Sequence, residues 1–385
     1  MAKRNNGEGT IRKRADGRWE GRYYDPLLQK QKSVYGKTQK EVIEKIKSVT
    51  RDIDDGIFVS KNQIHTLTWF DSWLSTYNTN VKPLTYDAYA SIIKNHISPY
   101  LGHIPIQELQ TEYIQNMYNS MLDESVGGLS VKTVRNVHGV VHKALEQAVN
   151  VQLIKRNPAE ACVLPKHIKK EIEPMDSDTV RLFLSEIRHD EFAEIYIVTL
   201  FTGMRRGEVL GLKWECVDFD NGTIKVKRQI QKRKGRNKVY YLAPTKNGKE
   251  RLLFPAKFIM DILYDVKLRQ DNWKKIAKEK WNTDTTWNGL VFTTRLGKYL
   301  VPDTVYSHYK RIVEDIGQGE LRFHDLRHSF AVISLENGDN VKLVQEALGH
   351  HSSAFTLDTY GHITNRATKE SAERMQNYFG SISAS

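Results

Sequence analysis

Four short stretches in the second half of the chain combine residue types that handle phosphoryl chemistry. They are Thr202-Gly203-Met204-Arg205-Arg206-Gly207-Glu208, Pro244-Thr245-Lys246-Asn247-Gly248-Lys249, His324-Asp325-Leu326-Arg327-His328, and a run from Leu348-Gly349-His350 to Leu357-Asp358-Thr359-Tyr360-Gly361-His362. An oxygen attacking a phosphodiester places extra negative charge on the non-bridging oxygens. Arginine suits that need, because its guanidinium stays charged and offers paired donors. Arg205 and Arg327 are two such groups, and Arg205, following Thr202-Gly203, belongs near a helix start, where backbone amides also favour an anion. Arg206 is its rival. His324 and His350 titrate in the range that suits proton transfer or hydrogen-bond donation; each is also an ordinary structural histidine on its own, as are His328, His351 and His362. Lys246 sits beside the Asn247-Gly248 turn with Lys249 and Lys238 as competitors. Glu208, one helical turn beyond Arg205, either orients a neighbouring side chain or faces solvent as a helix acid. A tyrosine can be a nucleophile, but a phenol with a pKa of about 10 needs a base or a positive field. Eighteen tyrosines single out none by type alone. The sequence holds no His-Glu-x-x-His pattern and no cysteine cluster, so a zinc site is not expected.

These residues need a scaffold, and the sequence divides it into three. Residues 1–50 carry 13 Lys+Arg against 6 Asp+Glu, a local excess of +7. Short strands are expected at 9–14, 18–24 and 32–35, separated by Asp16-Gly17 and Asp25-Pro26. A helix follows, capped by Thr38 with Glu41 reaching back, and Val42, Ile43, Ile46 and Val49 recur at helical spacing. A sheet bearing Arg12, Arg14, Arg18 and Arg22 can lie in a DNA groove, as two-stranded ribbons do. Trp19, Tyr23 and Tyr24 are expected to form the small core of this domain. Beyond a linker at 51–63, helices are expected from Leu67, at 84–100, 114–122 and 130–151, with Pro99, Gly102 and Pro105 breaking the chain. This pattern predicts a helical bundle, from which Lys82, Lys132 and Arg135 can meet phosphates. A second linker runs from Pro165 to Pro174. Helices at 179–188, 192–201 and 206–212 then precede strands at 217–219, 223–230 and 250–254, and the remainder reads as helical. The fold class is therefore multidomain, mainly α with small β-sheets: an N-terminal three-stranded sheet plus helix (1–60), a helical bundle (61–165) and a mixed α+β domain (174–385).

Composition narrows the partner. With 58 Lys+Arg and 46 Asp+Glu the formal charge is +12, which favours an acidic polymer, since each phosphate neutralised releases counterions. No apolar run is long enough to span a membrane, and the basic start leads into polar residues unlike a signal peptide. The two cysteines, Cys162 and Cys216, fit a reducing cytoplasm.

The four stretches together resemble the arginine, lysine, histidine-x-x-arginine, histidine and tyrosine boxes of the tyrosine recombinase (phage integrase) family, in the family's order. The integrases of conjugative transposons and temperate phages of Gram-positive bacteria are the nearest style. The resemblance covers nearly the whole chain, with residues 1–60 similar to an arm-type DNA-binding domain and 61–165 to a core-binding domain. It implies catalytic roles for Arg205, Lys246, His324, Arg327, His350 and Tyr360, with Glu208 behind them. Tyr360 would form a 3′-phosphotyrosyl ester, His324 would assist proton transfer there, His350 would donate to a non-bridging oxygen, and Lys246 would protonate the leaving 5′-oxygen. It also implies no cofactor, metal or ATP. The implied partners are double-stranded DNA attachment sites, a homotetramer on DNA in which a helical tail at 365–380 docks on a neighbour, and an excisionase or DNA-bending accessory protein. The place of action would be the cytoplasm, at the nucleoid. A type IB topoisomerase and a non-catalytic DNA-binding regulator are the alternatives; the basic N-terminal segment disfavours the first, and the intact residue set the second.

Overall fold

The computed structural model describes residues 10–26, 29–54, 64–126, 128–168, 174–233 and 239–350, together with helical residues 372, 375–376 and 379–382. The fold is mainly helical with small sheets, and it divides into two compact units, Met1–Lys169 and Lys170–Ser385.

The first unit opens with an antiparallel sheet in the order β1 (Ile11–Lys13), β2 (Trp19–Asp25), β3 (Lys30–Gly36). Helix α1 (Gln39–Asp54) buries Val42 and Ile46 against the sheet face that carries Gly21. Strand alternation sends Glu20, Arg22 and Tyr24 to the opposite face. There Glu20, only 2% exposed, accepts hydrogen bonds from Arg12 (2.7 Å), Arg22 (3.3 Å) and the Ser33 hydroxyl (2.8 Å). Tyr24 departs from its expected place in the core: it is 56% exposed, because period-two alternation puts it beside the arginines.

Helix α2 (Thr66–Ser72) runs on through a π turn at Trp73–Tyr77, and α3 (Pro83–Ile92) runs through another at Ile93–Ile97 into α4 (Ser98–Leu101). With α5 (Thr111–Leu122) and α6 (Val131–Asn150) they enclose a core of Trp69, Phe70, Ile97, Tyr118, Val137 and Leu145. Pro99 does not break the helix as expected. The wide turn just before it already departs from α-helical bonding, so the donor that proline lacks is lost where the ladder is interrupted anyway.

In the second unit, α7 (Ser177–Glu186), α8 (Ala193–Thr202) and α9 (Arg206–Leu210) precede strands β4 (Val217–Asp218), β5 (Thr223–Val226), β6 (Arg228–Lys232), β7 (Tyr240–Pro244) and β8 (Arg251–Leu253). Helices α10 (Lys257–Ala277), α11 (Pro302–Asp315), α12 (Phe323–Glu336) and α13 (Val341–Leu348) follow. Helix α8 is apolar nearly all round and buried, and α12 packs against it. Phe183, Tyr196, Tyr309 and Phe323 meet at tilted and edge-on angles, 5.4–6.1 Å between centroids, and so anchor the start of α12.

The Asn247-Gly248 turn does not join two strands that pair with each other. Strand β8 pairs with β5 and β7 with β6, so 223–232 and 240–253 form one long interrupted ladder. The pairing extends to Arg233, whose N–H donates to the Val239 carbonyl at 2.9 Å. Residues 245–250 instead loop out of the returning strand opposite Lys227, closed by the Thr245 hydroxyl on the Lys249 carbonyl at 2.7 Å. An Asn-Gly pair marks a turn with positive φ; it does not say that its flanking strands pair with each other.

Helices α8 and α13 both end on a left-handed glycine, Gly203 (φ 65°) and Gly349 (φ 63°). A Cβ on Gly203 would stand 2.5 Å from the Phe330 ring and 2.8 Å from Leu348. Gly203→Ala is therefore expected to lower stability by at least ~1–3 kcal/mol, the cost of a left-handed non-glycine residue before the clash is added. Urea titration followed by circular dichroism measures this, and an unchanged midpoint would contradict the packing.

Candidate active site

Arg205 stands where α8 ends and α9 begins. The left-handed turn at Gly203 reverses the chain, and Arg205 takes an extended conformation at the N-cap of α9. Glu208 in the first turn holds it twice: its carboxylate accepts from the Arg205 backbone N–H at 2.9 Å and from Nη1 at 2.7 Å. Glu208 is fully buried, so it is not a solvent-facing helix acid. Burial alone would raise its pKa; hydrogen bonds and charge from Arg251, with Arg205 beside them, outweigh that and hold it down at about 2.

Arg327 projects from α12 and is 1% exposed. Its Nη1 donates to the Gly203 carbonyl at 2.6 Å, and its Nη2 donates to the Leu348 carbonyl. The helix-end carbonyls that left-handed glycines leave behind thus orient this guanidinium. The Arg205 loop and the end of α13 both meet this guanidinium of α12, the first from 124 residues away in sequence.

His324 lies one turn before Arg327, at the open edge of the site, with its ring edge-on to His328 at 4.8 Å. Displacement of water, then repulsion from His328, Arg327 and Arg205, push its pKa down to about 4. His350 follows Gly349; loss of water and then Arg327, Arg205, His328 and His324 depress its pKa to about 3. His328 falls to about 4 through burial and Arg327 and Arg322, against an opposing effect from Asp325. Arg205, His324, Arg327 and His350 therefore lie within one another's fields, in a pocket of positive potential.

A cleft of about 550 Å³ opens between Arg205, Arg206, Tyr306, Arg322 and His324. Arg206, the rival of Arg205, lays its guanidinium over the Tyr306 ring at 5.2 Å instead of meeting Glu208. Lys246 is exposed on the looped-out turn; its neighbour Asn247 donates from Nδ2 to the Gly349 carbonyl at 3.3 Å, tying this loop to the His350 turn. Lys249 is also exposed on this loop. Tyr360 lies outside the described residues, as do His351, His362 and Lys238, and so does most of the 365–380 tail. Among the described residues no group of histidine, cysteine or carboxylate side chains could hold a metal ion, and no helix is long and apolar enough to cross a membrane.

In the first unit, Arg12, Arg14, Arg18 and Arg22 are all solvent-accessible, and Arg14 and Arg18 lie over the Tyr35 ring at 5.5 and 5.7 Å. Lys82 is the N-cap residue of α3, while Lys132 and Arg135 are exposed on α6, with Arg135 donating to the Pro165 carbonyl at 3.1 Å. Sequence reasoning missed Arg251 and Arg322. Arg251 gives the two oxygens of Glu208 donors at 3.1 and 2.6 Å. A charged residue opening the apolar run Leu252-Leu253-Phe254 was the available signal. Arg322 caps α12 through Asp325, 2.7 Å from backbone N–H to carboxylate.

Two fixed guanidiniums, two imidazoles beside them and a cationic cleft thus lie together in the second unit. The Phage integrase family profile matches residues 175–366, and the profile described as Phage integrase, N-terminal SAM-like domain, matches 68–122. The chain belongs to this family, the tyrosine recombinases, enzymes that cleave and rejoin DNA strands. It is 27% identical to a tyrosine recombinase XerC-like protein of Caldanaerobacter subterraneus, over 90% of this chain and 92% of that one. It is 25% identical to the ICEBs1 integrase of Bacillus subtilis, covering 88% and 90% respectively. In fold it is similar to the Tn1549 transposon integrase solved with a circular intermediate DNA, with a TM-score of 0.69, 20% identity and coverage of 81% of this chain and 99% of that one. It is also similar in fold to a lambda integrase tetramer bound to a Holliday junction, with a TM-score of 0.57, 17% identity and coverage of 92% and 96%.

The depressed histidines carry a pH signature. Unfolding returns them to ordinary values near 6.5, so below that pH the unfolded chain binds protons that the native site refuses. Their contribution is complete above about pH 6.5 and is lost as pH falls toward 4. The thermal midpoint of DNA-free protein should therefore fall between about pH 7 and pH 5, and less steeply in a His328→Gln, His350→Asn double variant. Equal slopes for both proteins would contradict the burial and neighbouring charge that hold these histidines down.

Proposed function

We propose that this recombinase is the integrase of a mobile genetic element, which inserts and excises that element by site-specific strand exchange. The observation that carries the site assignment is the convergence of Arg205 and Arg327 from separate segments, each fixed by buried partners, with His324 and His350 in the same field. In the proposed step the Tyr360 phenolic oxygen attacks the scissile phosphorus as the P–O5′ bond breaks, leaving a 3′-phosphotyrosyl ester and a 5′-hydroxyl. His324, neutral at physiological pH, takes the phenol's proton, and Lys246 gives one to the departing oxygen. Arg205 and Arg327 take the charge that grows on the non-bridging oxygens, with His350 donating to one of them. The ester conserves the energy of the broken bond, so a 5′-hydroxyl from the partner duplex reverses the step without ATP or metal.

The same proposal gives the rest of the chain its tasks. Residues 1–60 serve as an arm-type DNA-binding domain through Arg12, Arg14, Arg18 and Arg22. Residues 61–165 hold the core site, with Lys82, Lys132 and Arg135 on phosphates, and 174–385 perform catalysis. Four protomers assemble on two duplexes, the 365–380 tail docks on a neighbour, and an excisionase or DNA-bending protein sets direction. The Tn1549 integrase solved with DNA and the lambda integrase tetramer on a Holliday junction support DNA binding and a four-protomer assembly by likeness of fold.

The test is a nicked duplex carrying the recombination site, from which the cleaved fragment diffuses away and traps the covalent complex. Wild-type protein is expected to give a denaturation-resistant DNA adduct; Tyr360→Phe should bind the duplex and give none. An adduct in the variant would overturn the nucleophile assignment.

A further inference from the structure

Three successive carbonyls at the end of α13 are each held by a side chain, two from the stretch 247–251 and one from α12. Ala347 receives Nε of Arg251 at 2.7 Å, Leu348 receives Arg327, and Gly349 receives Asn247 at 3.3 Å. A helix leaves its last carbonyls without intrahelical partners, so this turn can be fixed from outside. Arg251 differs from the other two in what its far end does. Its Nη1 and Nη2 form a two-pronged bond to Glu208, at 3.1 and 2.6 Å, and the same carboxylate holds Arg205 through backbone and side chain. One guanidinium thus links the Arg205 loop to the turn that ends in His350. The side chain is 10% exposed, and Gly349 leaves room for its stem: a Cβ there would come within 3.2 Å of Arg251 Cδ.

We propose that Arg251 is a positioning residue for DNA cleavage, setting Arg205 through Glu208 and His350 through the Ala347 carbonyl, so that two phosphate ligands from separate segments keep one spacing. This rests on the reading of Arg205 and His350 as ligands of the scissile phosphate. Lysine cannot replace it, because a point ammonium cannot grip both Glu208 oxygens and reach the carbonyl at once. Removing it leaves the Glu208 carboxylate buried with one cation, and the Arg205 side chain loses its fixed counterpart.

The experiment uses the full chain and compares Arg251→Met, Arg251→Lys, Glu208→Gln and the Arg251→Met, Glu208→Gln double variant. Folding is followed by circular dichroism, DNA affinity by fluorescence anisotropy, and single-turnover cleavage on the nicked duplex. Arg251→Met should bind DNA within about threefold of wild type and cleave tens- to a hundredfold more slowly, the scale of losses when a supporting partner is removed. The double variant should be little slower than the slower single one, because both act on one network. A further variant, Arg251→Ala, should recover part of its rate in ethylguanidinium, a readout that general destabilisation does not produce. A folded Arg251→Met that cleaves within threefold of wild type would overturn the proposal, as would multiplicative losses in the double variant. Should Arg251→Met fail to fold, Arg251→Lys decides: a wild-type rate sinks the idea, and a loss of about tenfold with affinity kept supports it. If wild type itself gives no adduct, or Arg205→Ala cleaves normally, the reading of the phosphate ligands has failed, and that result is distinguishable from failure of Arg251 alone.

Discussion

The second unit is organised around a carboxylate that water cannot reach. Glu208 is fully buried, and a buried anion must be paired or it gives up its charge. Here two guanidiniums share it, Arg205 along one edge and Arg251 across both oxygens. Two cations on one anion leave a surplus of positive charge, and Arg327, held by main-chain carbonyls, adds to it. The fold thereby stores a field whose natural counterpart is an anion arriving from outside. The cost of assembling it is met during folding, so on the proposed reading it is ready at the moment charge develops on a phosphate.

Loss of water first, and then that field, sets the protonation state of its neighbours. His324, His328 and His350 would all be partly charged near pH 6.5 in water; in the site they are held neutral. A neutral imidazole can accept a proton, and one beside two guanidiniums becomes easier to protonate once a phosphate has neutralised them. In the proposed step the same electrostatics would link DNA binding to proton transfer without a separate base of unusual chemistry. The buried acid in the N-terminal sheet repeats the theme in miniature: Glu20, its pKa held at about 2 by the Ser33 hydroxyl, Arg12 and Arg22, orients two arginines on an open face.

Much of this was legible in the residue string, because the informative stretches combine rare types at short range. Thr202-Gly203-Met204-Arg205 announces a helix end followed by a fixed cation, and His324 to His328 places an imidazole and a guanidinium on one helix. What stayed hidden depends on partners distant in sequence. Arg251 is one basic residue among 58, and only the pairing of β8 with β5 brings it under Glu208. The Asn247-Gly248 turn was readable, but the register that makes it a loop within a strand was set by long-range pairing. Pro99 and Tyr24 show the same limit locally: a π turn absorbed the one, and strand alternation exposed the other.

The central claim is that Arg205 and Arg327 act by neutralising charge on the scissile phosphate. Its most direct test replaces one non-bridging oxygen of that phosphate by a methyl group, which removes the negative charge while keeping the leaving group. Cleavage rates of wild type, Arg205→Ala and Arg327→Ala are then compared on the charged and the neutral nicked duplex. The account predicts that each alanine variant is crippled on phosphate and regains much of its rate on the methylphosphonate. Variants as impaired on the neutral substrate as on the charged one would contradict it.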